Sequence, residues 1–380
     1  MLFGLDATPL TEARAGVGHY TFELARALAC AAPRDEFELL HPSSFPPANF
    51  DDDDGAMLPS NLRPVRVRVG ALGRHWWAAG LPRYVRRRGL RLFHGTNYDV
   101  PLWGGAATVL TIHDLSLLLH AETHERRRVM RARRRLPLMA RVADSIITPT
   151  ESVRREVCEH LRVAPAKVFA VPEAARACFR PMSFEETKEA RRALGVGEDF
   201  ILAVGTLEPR KNLTALLRAF ETIARERPGR QLQLVIAGGR GWLSAPLLEA
   251  VASSPARARI VMTGYLHDAD LRALYSSCRA FVYPSVYEGF GLPPLEAMSC
   301  GAPVVAGRAR AVAEVVGGAA RIVNSDSHDD LASALVGLLD DSSERRELMQ
   351  AGLARASQFS WERTARMTLE VYTETLRKRG

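Results

Sequence analysis

The chain has 380 residues, 47% of them apolar, with 51 Lys and Arg against 43 Asp and Glu and a net charge of +8 at neutral pH. That length and apolar content are enough for two hydrophobic cores, and the basic excess suits anionic substrates or surfaces. Five scattered cysteines (Cys30, Cys158, Cys178, Cys278 and Cys300) have neither metal-site nor redox spacing, which favours a reduced, cytoplasmic setting over a disulfide framework.

Strand-like and helix-like segments alternate throughout, the pattern of an α/β chain with parallel sheets. The start lacks a charged n-region and reads as a strand over Leu2–Asp6 rather than a signal peptide. An apolar-periodic helix over His19–Ala31 follows, then strands at Glu36–Leu40, Val65–Val69, Leu90–His94, Thr108–His113, Ser145–Pro149 and Val168–Val171. No apolar run reaches the length of about 20 residues that a membrane span needs. Asp51–Asp54 is an acidic run in a Pro-rich loop, without the strand context that would hold a metal. Arginines concentrate between Arg83 and Arg91 and between Arg126 and Arg135. In the second run Val129, Ala132, Leu136 and Met139 recur at helical spacing. Such a helix fits either a solvated face or peripheral contact with an anionic membrane or lipid-linked substrate. A single aromatic, Tyr84, interleaves these runs, too few for a stacking platform, which argues against nucleic acid.

Thr150 and Ser152 cap a helix over Ser152–His160. Residues 173–198, with Gly195 and Gly197, read as a linker between a first domain over 1–172 and a second over 199–358. The second repeats the alternation: strand Phe200–Gly205, helix Leu213–Glu226, strand Leu232–Gly238, helix Leu243–Ala252, strand Ile260–Thr263, helix Ala269–Ser276 and strand Arg279–Pro284. A helix after Pro293 and Pro294 ends near Gly301, the strand Pro303–Ala306 follows, and Ser360 caps a last helix within 359–380.

The segment Ser285-Val-Tyr-Glu288-Gly-Phe-Gly-Leu-Pro-Pro-Leu-Glu296 carries the chemistry. It sets two carboxylates around a glycine-rich turn that enters a helix. Gly289, Phe290, Gly291 and Leu292 offer backbone N–H groups at a helix N-terminus, where an anionic phosphate is stabilised. Gly205-Thr206-Leu-Glu-Pro-Arg210-Lys211 also follows a strand and precedes a helix, and its basic pair suits a diphosphate. Lys211 is one of four lysines in an arginine-rich chain. Gly16 and Gly18 lie between the first strand and first helix. They do not complete a dinucleotide fingerprint, because Thr21 takes the third glycine position. His113 closes one strand, and His94, Asn97 and Tyr98 close another on the same edge.

Tyr287-Glu288-Gly-Phe-Gly-Leu-Pro-Pro-Leu-Glu296-Ala resembles the paired-glutamate signature of retaining glycosyltransferases of family GT4. The resemblance implies the GT-B fold: two Rossmann-like domains facing across a cleft, with the last helix crossing back to the N-terminal domain. It implies a nucleoside diphosphate sugar donor as substrate, with no cofactor and no bound metal. Donor contacts are implied for Gly16, Gly18, Gly205, Thr206, Arg210, Lys211, Gly264, Tyr265, Glu288, Gly289, Phe290, Gly291, Leu292 and Glu296. Catalytic roles fall to His113, Glu288, Lys211 and Arg210, with His94, Asn97 and Tyr98 on the acceptor side. Many members carry Arg where this chain has Thr206, which makes Lys211 the more secure of the two cations. The opening Gly-Leu-Asp-Ala-Thr-Pro and the Pro-Arg-Lys-Asn loop look most like bacterial polysaccharide mannosyltransferases, which points to GDP-mannose and a saccharide or lipid-linked acceptor. Nucleotide-sugar epimerases, sugar phosphorylases and non-catalytic nucleotide-sugar binders remain alternatives on the same fold.

Overall fold

Thirteen strands among the described residues build two parallel sheets. The computed structural model describes residues 1–12, 16–50, 57–70 and 75–379. Strands β1 (Leu2–Asp6), β2 (Glu36–Pro42), β3 (Leu62–Val67), β4 (Leu92–Gly95), β5 (Ala107–Thr111), β6 (Ser145–Thr148) and β7 (Val168–Ala170) form the first. Strands β8 (Phe200–Val204), β9 (Gln233–Ala237), β10 (Ile260–Gly264), β11 (Ala280–Tyr283), β12 (Val304–Gly307) and β13 (Arg321–Val323) form the second. Their orders are β3-β2-β1-β4-β5-β6-β7 and β10-β9-β8-β11-β12-β13. Each sheet reverses its direction of growth once, between β1 and β4 and between β8 and β11. At such a switch point the loops leaving two adjacent strands diverge and open a crevice for ligands.

The chain divides into two units. The first comprises Met1–Leu118, Arg127–Ala174 and Phe359–Gly380, and the second comprises Leu119–Arg126 and Ala175–Gln358. The stretch expected as a linker thus lies with the second unit from Ala175 onward and carries the helix Lys188–Ala193.

In the first unit the helices Gly16–Ala31 and Trp361–Arg379 share one core with the sheet. Tyr20, Leu24 and Leu28 pack with Trp361, Ala365 and Tyr372 over Phe3, Leu5, Phe37 and Leu92. Burying such side chains contributes about 1.5–3 kcal/mol each, so the terminal helix is part of this unit's stability. Ser360 caps it as expected, its hydroxyl accepting from Arg363 N at 3.2 Å. A second apolar layer, including Leu40, Trp76, Leu81, Val85 and Phe93, covers the other sheet face. The arginine-rich segment forms the helix Arg126–Val142, whose apolar positions Val129, Leu136 and Met139 are buried. Its stripe therefore faces protein, and the exposed side carries Arg126, Arg127, Arg131, Arg133 and Arg134.

The second unit's core joins Ile201, Leu234, Ile236, Val282 and Val305 of the sheet to Leu216, Phe220 and Ile223 of the helix Leu213–Glu226, and to Leu331, Leu335 and Leu338. Two glycines at strand ends are required here. Gly205 and Gly238 have φ of 149° and 150°, and a Cβ on Gly238 would stand 2.0 Å from the Gly205 carbonyl oxygen. The helix expected from Leu243 begins at Ala245, because Leu243 itself has φ of 55° and so cannot start it.

Candidate functional site

The switch point of the second sheet brings the two anticipated loops together. β8 pairs directly with β11, so the segments leaving their C-terminal ends are neighbours. Val286 N donates to the Arg210 carbonyl at 3.0 Å and staples one loop to the other. After β8 the chain makes a single tight turn over Pro209–Lys211, and Asn212, at φ 52° and ψ 35°, redirects it into the helix Leu213–Glu226. After β11 it runs to Gly291, whose φ of 109° turns it into the helix Leu292–Ser299. The prolines at the start of that helix fit where no N–H partner is available.

Four charged side chains meet between these loops. Lys211 Nζ donates to Glu288 Oε1 at 2.6 Å and to the Tyr283 hydroxyl at 2.8 Å. Arg210 donates through Nη1 to Glu288 Oε2 and through Nη2 to Glu208 Oε1, each at 2.7 Å. It also donates to the Tyr287 carbonyl at 2.8 Å. Two cations and two carboxylates thus balance, where the sequence had suggested a basic pair alone. Burial opposes ionisation of Glu288, but the Arg210 and Lys211 charges prevail and hold its carboxyl at about 2. Glu208 is pushed up by burial, against the opposing charges of Arg210 and Lys211. The stem of Lys211 lies over Gly205, where a Cβ would meet Lys211 Cε at 3.3 Å.

Glu296 has a separate cation. Arg176 Nη2 is 3.5 Å from its Oε1, and the Tyr275 hydroxyl donates to Oε2 at 3.3 Å. Arg176 also pairs with Asp268 and lies 4.7 Å over the Phe179 ring. Burial pushes the Glu296 carboxyl up, opposed by Arg176 and reinforced by Asp268. Arg176, Asp268, Tyr275, Tyr283 and Glu208 were not singled out from sequence. Asp268 reads as an ordinary acid at a helix start, and the tyrosines read as core.

The remaining anticipated residues fall as follows. Gly289, Phe290 and Gly291 are buried and Leu292 is half-buried. Thr206 is exposed, as are Gly264 at the end of β10 and Tyr265 just after it, with Tyr265 60% accessible. Gly16 and Gly18 begin the helix Gly16–Ala31, Gly18 buried and Gly16 open. The acidic run Asp51–Asp54 lies outside the described residues. One segment of the N-terminal half joins the second unit here: His120 lies 4.7 Å from the Tyr287 ring, and Trp242 Nε1 donates to the Thr123 carbonyl at 2.6 Å.

Beside the switch point of the first sheet, after β5, His113 bonds the Thr96 carbonyl through Nε2 at 2.8 Å and Glu173 Oε1 through Nδ1 at 3.2 Å. Asn97 and Tyr98 are half-buried beside it, with the Tyr98 ring 5.9 Å from His113. His94, expected to line an acceptor, is a core residue with no exposed surface. Its ring bonds Tyr372 OH at 2.8 Å and Thr111 Oγ1 at 2.7 Å. β4 turns this side chain toward the terminal helix, a partner the strand pattern alone did not reveal. Asp6, at the end of β1, was also missed; burial raises its carboxyl to about 7, although Thr8 donates to both of its oxygens.

Two parallel-sheet Rossmann-like units, with a paired-glutamate loop meeting a lysine at a switch point, define a glycosyltransferase of the GT-B fold. Residues 14–174 match Glycosyltransferase Family 4, and residues 184–355 match Glycosyl transferases group 1. The chain is 32% identical over 378 residues to O-antigen chain mannosyltransferase B of Escherichia coli, covering 96% of this chain and 97% of that one. It is 33% identical over 237 residues to the serotype-specific mannosyltransferase WbdA of Escherichia coli, a match to 62% of this chain and only 29% of that longer protein. Among solved structures, sucrose-phosphate synthase from Thermosynechococcus elongatus superposes with a TM-score of 0.77 over 98% of both chains, at 21% identity. The chain belongs to glycosyltransferase family 4.

Proposed function

We propose that this glycosyltransferase is a retaining mannosyltransferase that moves mannose from GDP-mannose to a saccharide or lipid-linked saccharide in cell-surface polysaccharide synthesis. The observation that carries this reading is the cluster of Lys211, Arg210 and Glu288 at the β8/β11 switch point. Full-length similarity to an O-antigen mannosyltransferase supports the choice of sugar and acceptor class.

Lys211 and Arg210 share their charge with the donor diphosphate, and the amides of Gly291 and Leu292 at the helix start add fixed dipoles. Gly205 lets a phosphate approach the backbone beside Lys211, while Gly16 and Gly18 do the same on the first unit. Glu288 orients the sugar hydroxyls, and Glu296 accepts from the ribose hydroxyls, since a carboxylate takes two donors at once. Thr206, Gly264, Tyr265, Gly289 and Phe290 complete the donor contacts. Asn97 and Tyr98 meet the acceptor.

In the transfer step the acceptor oxygen attacks the anomeric carbon on the face that the diphosphate leaves. The carbon–oxygen bond to the diphosphate breaks, and the hydroxyl proton passes to the departing phosphate oxygen. Fixed protein charge replaces a divalent cation in neutralising that group.

An anionic lipid-linked acceptor or membrane headgroup suits the arginine-lined groove of about 500 Å³ formed by Arg66, Arg68, Arg83, Arg87 and Arg88 in the first unit. No described helix is long and apolar enough to cross a membrane.

The test is to incubate the protein with GDP-mannose, UDP-glucose and ADP-glucose plus oligomannose acceptors, and to follow nucleoside diphosphate release and product configuration. Acceptor-dependent GDP release with an α-linked mannose product supports the reading. Release from another donor corrects the sugar, and an inverted anomeric centre contradicts retention.

A further inference from the structure

His113 follows β5, one strand from the point where the first sheet reverses, and every polar atom of its ring is already committed. Nε2 faces the Thr96 carbonyl oxygen at 2.8 Å. A carbonyl only accepts, so Nε2 carries hydrogen. Thr96 is itself fixed, its hydroxyl donating to the Asp6 carbonyl at 2.9 Å and accepting from Thr21 at 3.0 Å. Nδ1 faces Glu173 Oε1 at 3.2 Å, and Glu173 is 4% exposed. A carboxylate oxygen only accepts, so a hydrogen on Nδ1 satisfies this contact as well. A buried carboxylate without a cation is costly, and among the described residues His113 is its ion-pair partner.

The surroundings agree. Asp114 adds negative charge from the adjoining position. The Tyr20 ring meets His113 edge-on at 4.7 Å, with its hydroxyl bonded to Thr111, and Tyr98 approaches at 5.9 Å. His94 is held neutral, pushed down to about 3 by burial and by the nearby His113 charge. Burial disfavours the charged His113, but the bond and charge of Glu173 outweigh it and raise its proton affinity. The two histidines are thus separated, one neutral and one cationic.

We propose that Glu173 is a positioning residue of the transfer site, holding His113 as an imidazolium with both ring N–H groups bonded to protein. His113 then offers a fixed positive charge and a fixed ring edge, and carries no proton between substrates. The inference rests on the catalytic role that the family resemblance implies for His113, and it deepens that role.

The test uses the full chain labelled with ¹⁵N-histidine, with the ring nitrogens read by two-dimensional NMR and His113 assigned by its loss in His113→Asn. In the unsubstituted protein the His113 ring is doubly protonated at pH 7.5, where a ring titrating at about 6.5 is about nine-tenths neutral. In Glu173→Gln it becomes neutral by that pH. Turnover of Glu173→Gln falls about tenfold between pH 5.5 and 7.5 relative to the unsubstituted enzyme, through kcat rather than KM. Glu173→Asp, which keeps the charge, restores the doubly protonated ring if Glu173→Gln does not fold. A neutral His113 ring at pH 7.5 in the unsubstituted protein overturns the proposal, as does a Glu173→Gln variant with unchanged ring signals and pH profile. The ring signals are read without substrate, so lack of turnover with every donor bears on the proposed function instead.

Discussion

Lys211 Nζ lies 2.6 Å from Glu288 Oε1, an ion pair that, beside Arg210–Glu288, joins the loop after β8 to the loop after β11. Each residue limits what the other can do. The ammonium is not freely available to an anion while the carboxylate holds it, and the carboxylate is kept ionised by the ammonium and by Arg210.

Replacing Glu288 with Gln leaves two cations with one fewer counter-charge. We predict a stability loss of about 3 kcal/mol in urea titration, the usual order for breaking a buried pair. Affinity for free GDP is retained or raised in calorimetry, because Lys211 and Arg210 are released toward phosphate, while turnover is lost. Weakened GDP binding would place Glu288 on the nucleotide rather than the sugar.

Arg176 stands between Asp268 and Glu296, so its loss leaves a buried and a half-buried carboxylate without their shared cation. Glu296→Ala weakens GDP binding by about 1.5–3 kcal/mol for a lost charged hydrogen bond. Arg176→Gln does so through Glu296. A double-mutant cycle measured by calorimetry then gives a coupling of about 1 kcal/mol or more. Additive effects would separate the two residues.

Stability depends on pH through Asp6. Its folded carboxyl keeps a proton to about 7, against an unperturbed 3.8. Between those values the unfolded chain binds fewer protons, so this contribution is full below 3.8 and is lost as pH rises through about 7. Asp6→Asn removes that loss. The urea midpoint of the variant, relative to the unsubstituted protein, is therefore higher at pH 8 than at pH 5. Equal differences at both pH values contradict the assignment.

Activity survives EDTA if fixed charge neutralises the diphosphate. Loss of turnover in chelator, restored by Mg²⁺ or Mn²⁺, contradicts that part of the mechanism and directs attention to the acidic run at Asp51–Asp54.

The alternation of apolar strands and amphipathic helices made the two-sheet plan legible, and Leu213–Glu226 was read with its observed limits. Lys211 and Glu288 were legible because glycine turns and strand ends flank them. Their pairing was not, since strand order decides which loops are neighbours. The helix Ser342–Ala356 escaped notice because it buries little more than Gly352 and Ala356, leaving no apolar stripe. The three-residue β13 was too short to show a period. His94 and His113 look alike in sequence, each at a strand end. Only the packing of Tyr372 against one and Glu173 against the other tells the two apart. Leu119–Arg126 gave no sign of joining the second unit, because its partners Trp242 and Tyr287 lie more than a hundred residues away.

The most direct measurement is the steady-state rate of Lys211→Ala with GDP-mannose and an oligomannose acceptor, beside Arg210→Ala. Lys211 is predicted to act on the leaving group, so kcat falls by roughly 10²–10³ while urea stability changes little by comparison. Arg210, which also ties Glu208 and the Tyr287 carbonyl, loses more stability and less turnover. A Lys211→Ala enzyme that turns over within twofold of the unsubstituted protein would remove this cluster from the centre of the reaction.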